Sequence, residues 1–236
     1  MMKQYILIGI LGVGLHFGFA QKHLKEFYVN IDDDKQSYIH KSEVSIDEYC
    51  FFLYMIGEKH GEDTELYKSL IPDTAKFREW YGFSFSFLST SSQQTVILQR
   101  SLPMVAISYE QALSYCQWVE ERMNKFSQSY TYQCALPEKA DYEKVLKKAK
   151  ITDNDFLSPL QVQYKEKKRK RKNEEMTIIR PYMGNPLYGI TDNVAEYTQD
   201  GMIVGGGASN ELKFMEKADK TIPIGFRIKT TKVSKK

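Results

Sequence analysis

Three kinds of side chain in this sequence could do chemistry: the thiols of Cys50, Cys116 and Cys134, the imidazoles of His16, His23, His40 and His60, and two dense charge runs. A thiolate can attack, pair or hold a soft metal. Yet the cysteines are far apart and no Cys-x-x-Cys pair is present. Cys50 and Cys116 each fall on the apolar face of a predicted helix, where sulfur serves as a small hydrophobe. The histidines lack the i, i+4 spacing that would set two imidazoles on one helical face, and the sequence contains neither a Gly-x-Ser-x-Gly elbow nor a Walker-type phosphate loop. Of the charge runs, Asp32-Asp33-Asp34 reads as a solvated turn, because a closed shell of cation-binding oxygens needs ligands from several places. Lys165 to Lys172 carries seven basic residues and one glutamate. It predicts an exposed, self-repelling insertion loop over about 160–175, with contact to a polyanion as the alternative. No aromatics interleave it, so a specific nucleic-acid site is not indicated.

The first twenty residues set the address. Lys3 precedes an apolar run from Tyr5 to Leu15, and Ala20 marks the boundary before a polar chain begins at Gln21. This pattern predicts a secretory signal peptide over 1–20. The run is too short for the roughly 20 apolar residues of a membrane span, and no cysteine stands at the boundary for a lipid anchor. The mature chain, 21–236, is then expected to be periplasmic or secreted, with no transmembrane span. At 42% hydrophobic and 27% charged residues, the full 236-residue chain has the composition of one globular domain with a real core. An odd number of cysteines in an exported chain leaves at least one thiol unpaired, so no disulfide framework is read.

The elements that must position these groups follow from local patterns. Phe27-Tyr28-Val29 and Tyr38-Ile39 predict two short strands joined by the acidic turn. Ser45-Ile46-Asp47-Glu48 is a capping box, followed by Ile46, Tyr49, Cys50, Leu53 and Ile56 at helical spacing. Ser108 and Gln111 repeat the device after the apolar segment Leu102 to Ile107, and Ala112, Cys116 and Val119 continue that helix. Tyr130 to Tyr132 predicts a strand. Pro137 suits the first turn of a helix that would place Tyr142, Val145, Leu146 and Ala149 on one face. Between Gly57 and Gln99, the alternating Phe83, Phe85 and Phe87 predict a loop and then a short strand, and the aromatics around Trp80 read as core packing in preference to a recognition surface. The stretch from Asn185 to Gly207 holds five of the fourteen glycines with branched and aromatic residues between them, so it reads as a buried, turn-rich wall.

Several of these segments resemble, in order, the motifs of the formylglycine-generating-enzyme (sulfatase-modifying factor) domain family. Lys41 to Leu53 is similar to the opening EVTNxxYxxFL, and Pro103 to Trp118 to PVxxVSWxDAxAYCxWL. Leu136 to Glu143 is similar to RLPTEAEWE, and Leu187-Tyr188-Gly189-Ile190 with Asn193-Val194-Ala195-Glu196-Tyr197-Thr198 resembles GLYDMxGNVWEWT. Val204 to Gly207 stands where the family has RGGS, and Gly225-Phe226-Arg227 where it has GFR. The resemblance implies an α+β class, an irregular C-type-lectin-like domain with few short strands and two or three amphipathic helices. The residues agree, since no regular βαβ alternation appears.

Fold does not fix function, and the site motifs depart from the family's pattern. Its oxidising members carry a reactive cysteine pair between RGGS and GFR that binds copper. Here the interval from Ala208 to Ile224 holds no cysteine, and lysine or glutamate cannot supply soft ligands. No catalytic residue is therefore assigned. Its iron-dependent branch carries a histidine triad that these four histidines do not reproduce. The one cofactor the resemblance implies is calcium, with Asn193, Glu196 and Asp200 at the matching oxygen positions; the alternative is that Asn193 and Glu196 hydrogen-bond the loop without metal. The expectation is an exported, non-catalytic domain serving as a structural or binding module, with a protein partner, in a bacterial cell-envelope assembly of the gliding or secretion type. The alternative is an oxidoreductase-type modifying enzyme with an altered site.

Overall fold

The computed structural model describes residues 24, 27–32, 36–85, 100, 102–127, 130–148, 194–205, 214–215 and 222–234. The expected signal peptide, Asp33, Asp34, Phe87, Ala149, the basic run Lys165 to Lys172, Asn185 to Asn193, Gly206, Gly207 and most of the interval from Ala208 to Ile224 lie outside the described residues.

The described chain mixes helix and strand. Strands β1 (Tyr28–Asp32) and β2 (Ser37–His40) pair antiparallel, as the two apolar segments flanking the acidic turn predict. Helix α1 (Ile46–His60) starts at Ser45, whose hydroxyl accepts from the Glu48 amide at 3.3 Å while the Glu48 carboxylate accepts from the Ser45 amide at 2.7 Å. Backbone donors that a helix start leaves without partners are thereby met.

Between Gly57 and Phe85 the expectation of a loop and strand is corrected. Two short helices stand there, α2 (Glu65–Leu70) and α3 (Thr74–Tyr81), in addition to the expected ones. Thr64 caps the first by accepting from the Tyr67 amide, and Asp73 caps the second by accepting from Ala75 and Lys76. Phe83 and Phe85 do not extend as a strand; their rings lie edge-on to Phe77, with centroids 5.6 and 5.2 Å away. Their alternation serves a ring cluster, which agrees with core packing.

Helix α4 (Tyr109–Phe126) begins at the second capping box. Gln111 has two tasks there: its carbonyl oxygen accepts from the Ser108 amide at 2.7 Å, and its NH2 donates to the carbonyls of Ser69 and Ile71 at 2.8 Å each, closing the C-terminal end of α2. Strand β3 (Tyr130–Ala135) runs past the predicted Tyr132. Helix α5 (Lys139–Lys148) buries Tyr142 and Val145 as its spacing indicates, but Pro137 stands just ahead of it and not in its first turn. The start is held instead by Asp141, whose carboxylate accepts from the Glu138 amide at 2.8 Å. The remaining strands are β4 (Ala195–Tyr197), β5 (Ile203–Gly205), β6 (Phe214–Met215), β7 (Ile224–Gly225) and β8 (Lys229–Ser234).

These strands form two four-stranded sheets. One has the order β1-β2-β8-β3, with every neighbour antiparallel; the other has the order β6-β5-β4-β7, in which only β4 and β7 run parallel. The chain passes from the second sheet to the first through Phe226, Arg227 and Ile228, all buried. Three extended segments are laced together at this crossing. Val44 donates to the Phe226 carbonyl at 2.8 Å, His40 to Ile228 at 2.8 Å, and Met104 to Val44 at 2.7 Å.

The main core gathers on the same crossing. Tyr115 stacks on Tyr49 with centroids 5.9 Å apart and meets Phe226 edge-on at 5.3 Å, while Phe52 and Phe77 are enclosed. Among the described residues, no helix is long and apolar enough to cross a membrane.

Gly225 shows how tight the crossing is. A Cβ placed there would lie 2.8 Å from the Met104 carbonyl oxygen and 3.0 Å from a Val194 methyl. The first neighbour is backbone of a residue tied to Val44, so it cannot swing aside. Gly225→Ala is expected to destabilise the protein by about 1–3 kcal/mol through overpacking, read as a lower urea midpoint at unchanged m-value; an unchanged midpoint would contradict this packing.

Candidate functional site

The signature Asn193 to Thr198 enters the described structure at Val194 and becomes β4. Its turn into β5 is held by Thr198, whose amide and hydroxyl both donate to the Met202 carbonyl, at 3.0 and 2.8 Å. Gly201, at φ 74°, supplies the left-handed residue that this turn needs. Tyrosines then pin the hairpin to the neighbouring elements: Tyr197 donates to the Ile107 carbonyl and Tyr109 to the Gln199 carbonyl, each at 3.1 Å.

Glu196 is the one acidic residue of β4, and it is 1% exposed. Facing it is Arg227 of the crossing, wholly enclosed. The guanidinium grips the carboxylate with two bonds, Nε to Oε2 at 2.7 Å and Nη2 to Oε1 at 2.5 Å. Such two-pronged pairing is the strong form of an ion pair. The third nitrogen, Nη1, donates to the carbonyls of His40 and Lys41 at 3.2 Å each. From α5, Tyr142 donates its hydroxyl to Glu196 Oε2 at 2.6 Å. One buried cluster thus joins β4, α5, the end of β2 and the crossing between the sheets.

The electrostatics favour a fixed charge pair. Burial disfavours the charge on Arg227, but the Glu196 carboxylate outweighs it, by charge and by hydrogen bond, and holds the guanidinium protonated. Tyr142 is pushed well above the ordinary phenol range, first by burial and then by Glu196, so its hydroxyl stays a donor. A cluster whose cation keeps its charge and whose phenol keeps its proton is suited to holding position, not to passing protons at neutral pH.

The residues expected to bind calcium stand in different surroundings. Asn193 lies outside the described residues. Asp200 is exposed in the turn between β4 and β5, while Glu196 is buried with both its oxygens engaged by Arg227 and Tyr142. A calcium ion at Glu196 would have to displace a guanidinium, so Glu196 as placed is a counter-ion of Arg227 and not an open oxygen ligand. Among the described residues, no group of three or more His, Cys, Asp or Glu side chains is placed to hold a metal.

The three thiols are free and stand on different elements: Cys50 on α1, Cys116 on α4 and Cys134 on β3. Cys134 Sγ lies 3.7 Å from Met123 Sδ and 3.5 Å from Thr230 Oγ1. Burial pushes the thiols of Cys50 and Cys134 up to about 12, and Cys116 is raised by burial and then by Cys134. These are poor nucleophiles. Of the histidines, His40 is buried with Nδ1 at 2.9 Å from the Ser42 carbonyl oxygen and its ring edge-on to Tyr28, and His60 is exposed at the end of α1. His16 and His23 lie outside the described residues.

Sequence reading misses the Glu196–Arg227–Tyr142 cluster, because it takes Glu196 either for a calcium ligand or for a hydrogen-bond partner of its own loop, and Tyr142 for part of an apolar face. A signal is nonetheless present. Glu196 and Arg227 carry opposite charges, and each has apolar neighbours in the sequence, Ala195 and Tyr197 for one and Phe226 and Ile228 for the other; charges placed that way are tolerated in a core only as partners.

No protein-family model matches the chain, and no curated protein matches it significantly.

Glu196→Gln and Arg227→Met should each cost about 3–5 kcal/mol, because each strands a buried partner, and the double variant should lose clearly less than the two added together; additive losses in urea denaturation would mean that the pair is not coupled. The thiols bear on stability through pH. Unfolded cysteines ionise near their ordinary value of 9.0, whereas Cys50 and Cys134 keep their protons to about 12. Their contribution is therefore complete below the ordinary value and falls as pH rises through the window between the two. Native protein should resist iodoacetamide at about pH 8 while urea-unfolded protein labels at Cys50, Cys116 and Cys134; ready native labelling would refute the burial.

Proposed function

We propose that this chain is an exported, non-catalytic domain of the formylglycine-generating-enzyme type, with the irregular C-type-lectin-like fold, that acts as a structural or binding module in a bacterial cell-envelope assembly. The observation that carries the family reading is the Glu196–Arg227 pair. Each residue belongs to a different segment on which the resemblance rests, Asn193 to Thr198 and Gly225 to Arg227, and the two segments meet through these side chains. Other matched segments converge here as well: Val44 donates to the Phe226 carbonyl and in turn accepts from the Met104 amide, and Tyr142 completes the cluster.

The non-catalytic reading is supported by the sulfur chemistry. The segment where the oxidising members carry their cysteine pair has none. The thiols present elsewhere are buried or half-buried, and burial raises their pKa values away from thiolate character. A module of this kind acts through its surface. The gliding and secretion members of the family, which the motifs resemble, give the assembly type.

Two measurements test the proposal. Aerobic incubation of the purified protein with copper and a cysteine-containing sulfatase peptide should yield no aldehyde above the protein-free blank; aldehyde formation would overturn the non-catalytic reading. Tagged protein recovered from the native envelope fraction should bring down discrete envelope proteins in near-stoichiometric amount. Recovery of the bait alone would remove the assembly from the account.

A further inference from the structure

Among the described residues, strand β3 ends the first sheet: its inner side pairs with β8, in the register Thr131 to Val233 and Gln133 to Thr231. The outer rim of such a strand is normally a row of open amides and carbonyls that can template another strand. Here the amides of Tyr130, Tyr132 and Cys134 and the carbonyls of Tyr130 and Tyr132 are met by side chains of α4 and its cap. Ser127 donates to the Tyr130 carbonyl at 2.6 Å and accepts from the Tyr130 amide at 3.2 Å. Asn124 does the same for Tyr132, with both bonds at 2.8 Å. Glu120 accepts from the Cys134 amide at 2.8 Å. Every second residue of β3 is served in turn, which is the spacing of a strand's outward-facing groups.

The order of the three residues has a geometric reason. Glu120, Asn124 and Ser127 lie four and three positions apart, so they line one face of the helix and its cap. Only two residues separate Ser127 from Tyr130, so helix and strand start close together there. The side chains lengthen with distance from that connection, from serine to asparagine to glutamate. Each is long enough to cross its own gap.

We infer that this polar row is an edge lock: α4 occupies the hydrogen-bonding positions that a strand from a second copy of the chain would take, and so closes the β3 edge to strand addition. Asn124 is its centre, because it meets a donor and an acceptor of one residue through two different atoms of a rigid amide. The inference stands whether or not the functional reading above does.

Amide hydrogen exchange on the full-length protein tests the lock residue by residue. In wild type, the outward amides of Tyr130, Tyr132 and Cys134 should be protected about as well as the inward amides of Thr131 and Gln133. Ser127→Ala should speed exchange at Tyr130, Asn124→Ala at Tyr132 and Glu120→Ala at Cys134, each by roughly tenfold or more, with the inward amides little changed. Glu120→Gln, which keeps an acceptor, should restore protection at Cys134. A loss of overall stability would instead speed all five amides together, and that result, or no change at the matched amide, would overturn the lock. Sedimentation of Glu120→Ala/Asn124→Ala against wild type tests exclusion: the variant should show concentration-dependent self-association that wild type lacks, and identical sedimentation would refute it. Should Asn124→Ala fail to fold, the Ser127→Ala and Glu120 variants decide the question alone.

Discussion

A guanidinium taken wholly out of water must have its charge met and its N–H groups satisfied, and meeting that demand at Arg227 organises much of the described structure. The carboxylate of Glu196 supplies the charge, and two carbonyls at the end of β2 take the remaining nitrogen. Those contacts fix where the chain can cross from β7 to β8. They also fix β4 against α5, through the hydroxyl of Tyr142. Such a pair adds little net stability over apolar residues of the same volume. Its effect is on uniqueness: shifting β4 by one residue would turn Glu196 to the opposite face and leave both charges buried without a partner. The aromatic core supplies the bulk of the burial, and the ion pair selects which packing of that core is acceptable.

The same contrast runs through what is legible in the sequence. Both capping boxes are, because serine three residues before glutamate or glutamine states a local hydrogen-bond pattern that needs no tertiary context. The helices they start bury Ile46, Tyr49 and Leu53, and Ala112 and Cys116, on the faces that the spacing indicates. Helices α2 and α3 escape notice although Thr64 and Asp73 announce them, since each is short and the alternating phenylalanines beyond them favour a strand. Those rings alternate because they surround Phe77. Non-local features leave weaker traces. Ala106, for instance, adopts a left-handed φ of 61° and turns its carbonyl to the Asp73 amide at 2.8 Å. Nothing in its sequence neighbours marks a strain that is compensated by a distant contact.

Glu196 carries the sharper lesson. Read by motif it is an oxygen ligand, and read by burial it is a counter-ion; only the position of Arg227, 31 residues on, separates the two. Once the pair is seen, the chemistry of the described region is consistent. Buried thiols and phenols hold their protons, and acids such as Glu48 and Asp73 serve helix starts. Burial keeps these thiols and phenols protonated, and a sheet edge that could recruit a strand is answered by α4.

The Arg227 crossing makes one cooperative unit of the two sheets. Native-state hydrogen exchange under graded denaturant measures this most directly, at the amides of His40 and Val44, which donate to the crossing, and of Ala195, which donates to the Pro223 carbonyl beside it. The account predicts that all of these open with the same free energy and the same denaturant dependence, in a single global event. If Ala195 opens in a separate, lower-energy step while His40 and Val44 remain protected, the sheets are independent and the claim is wrong.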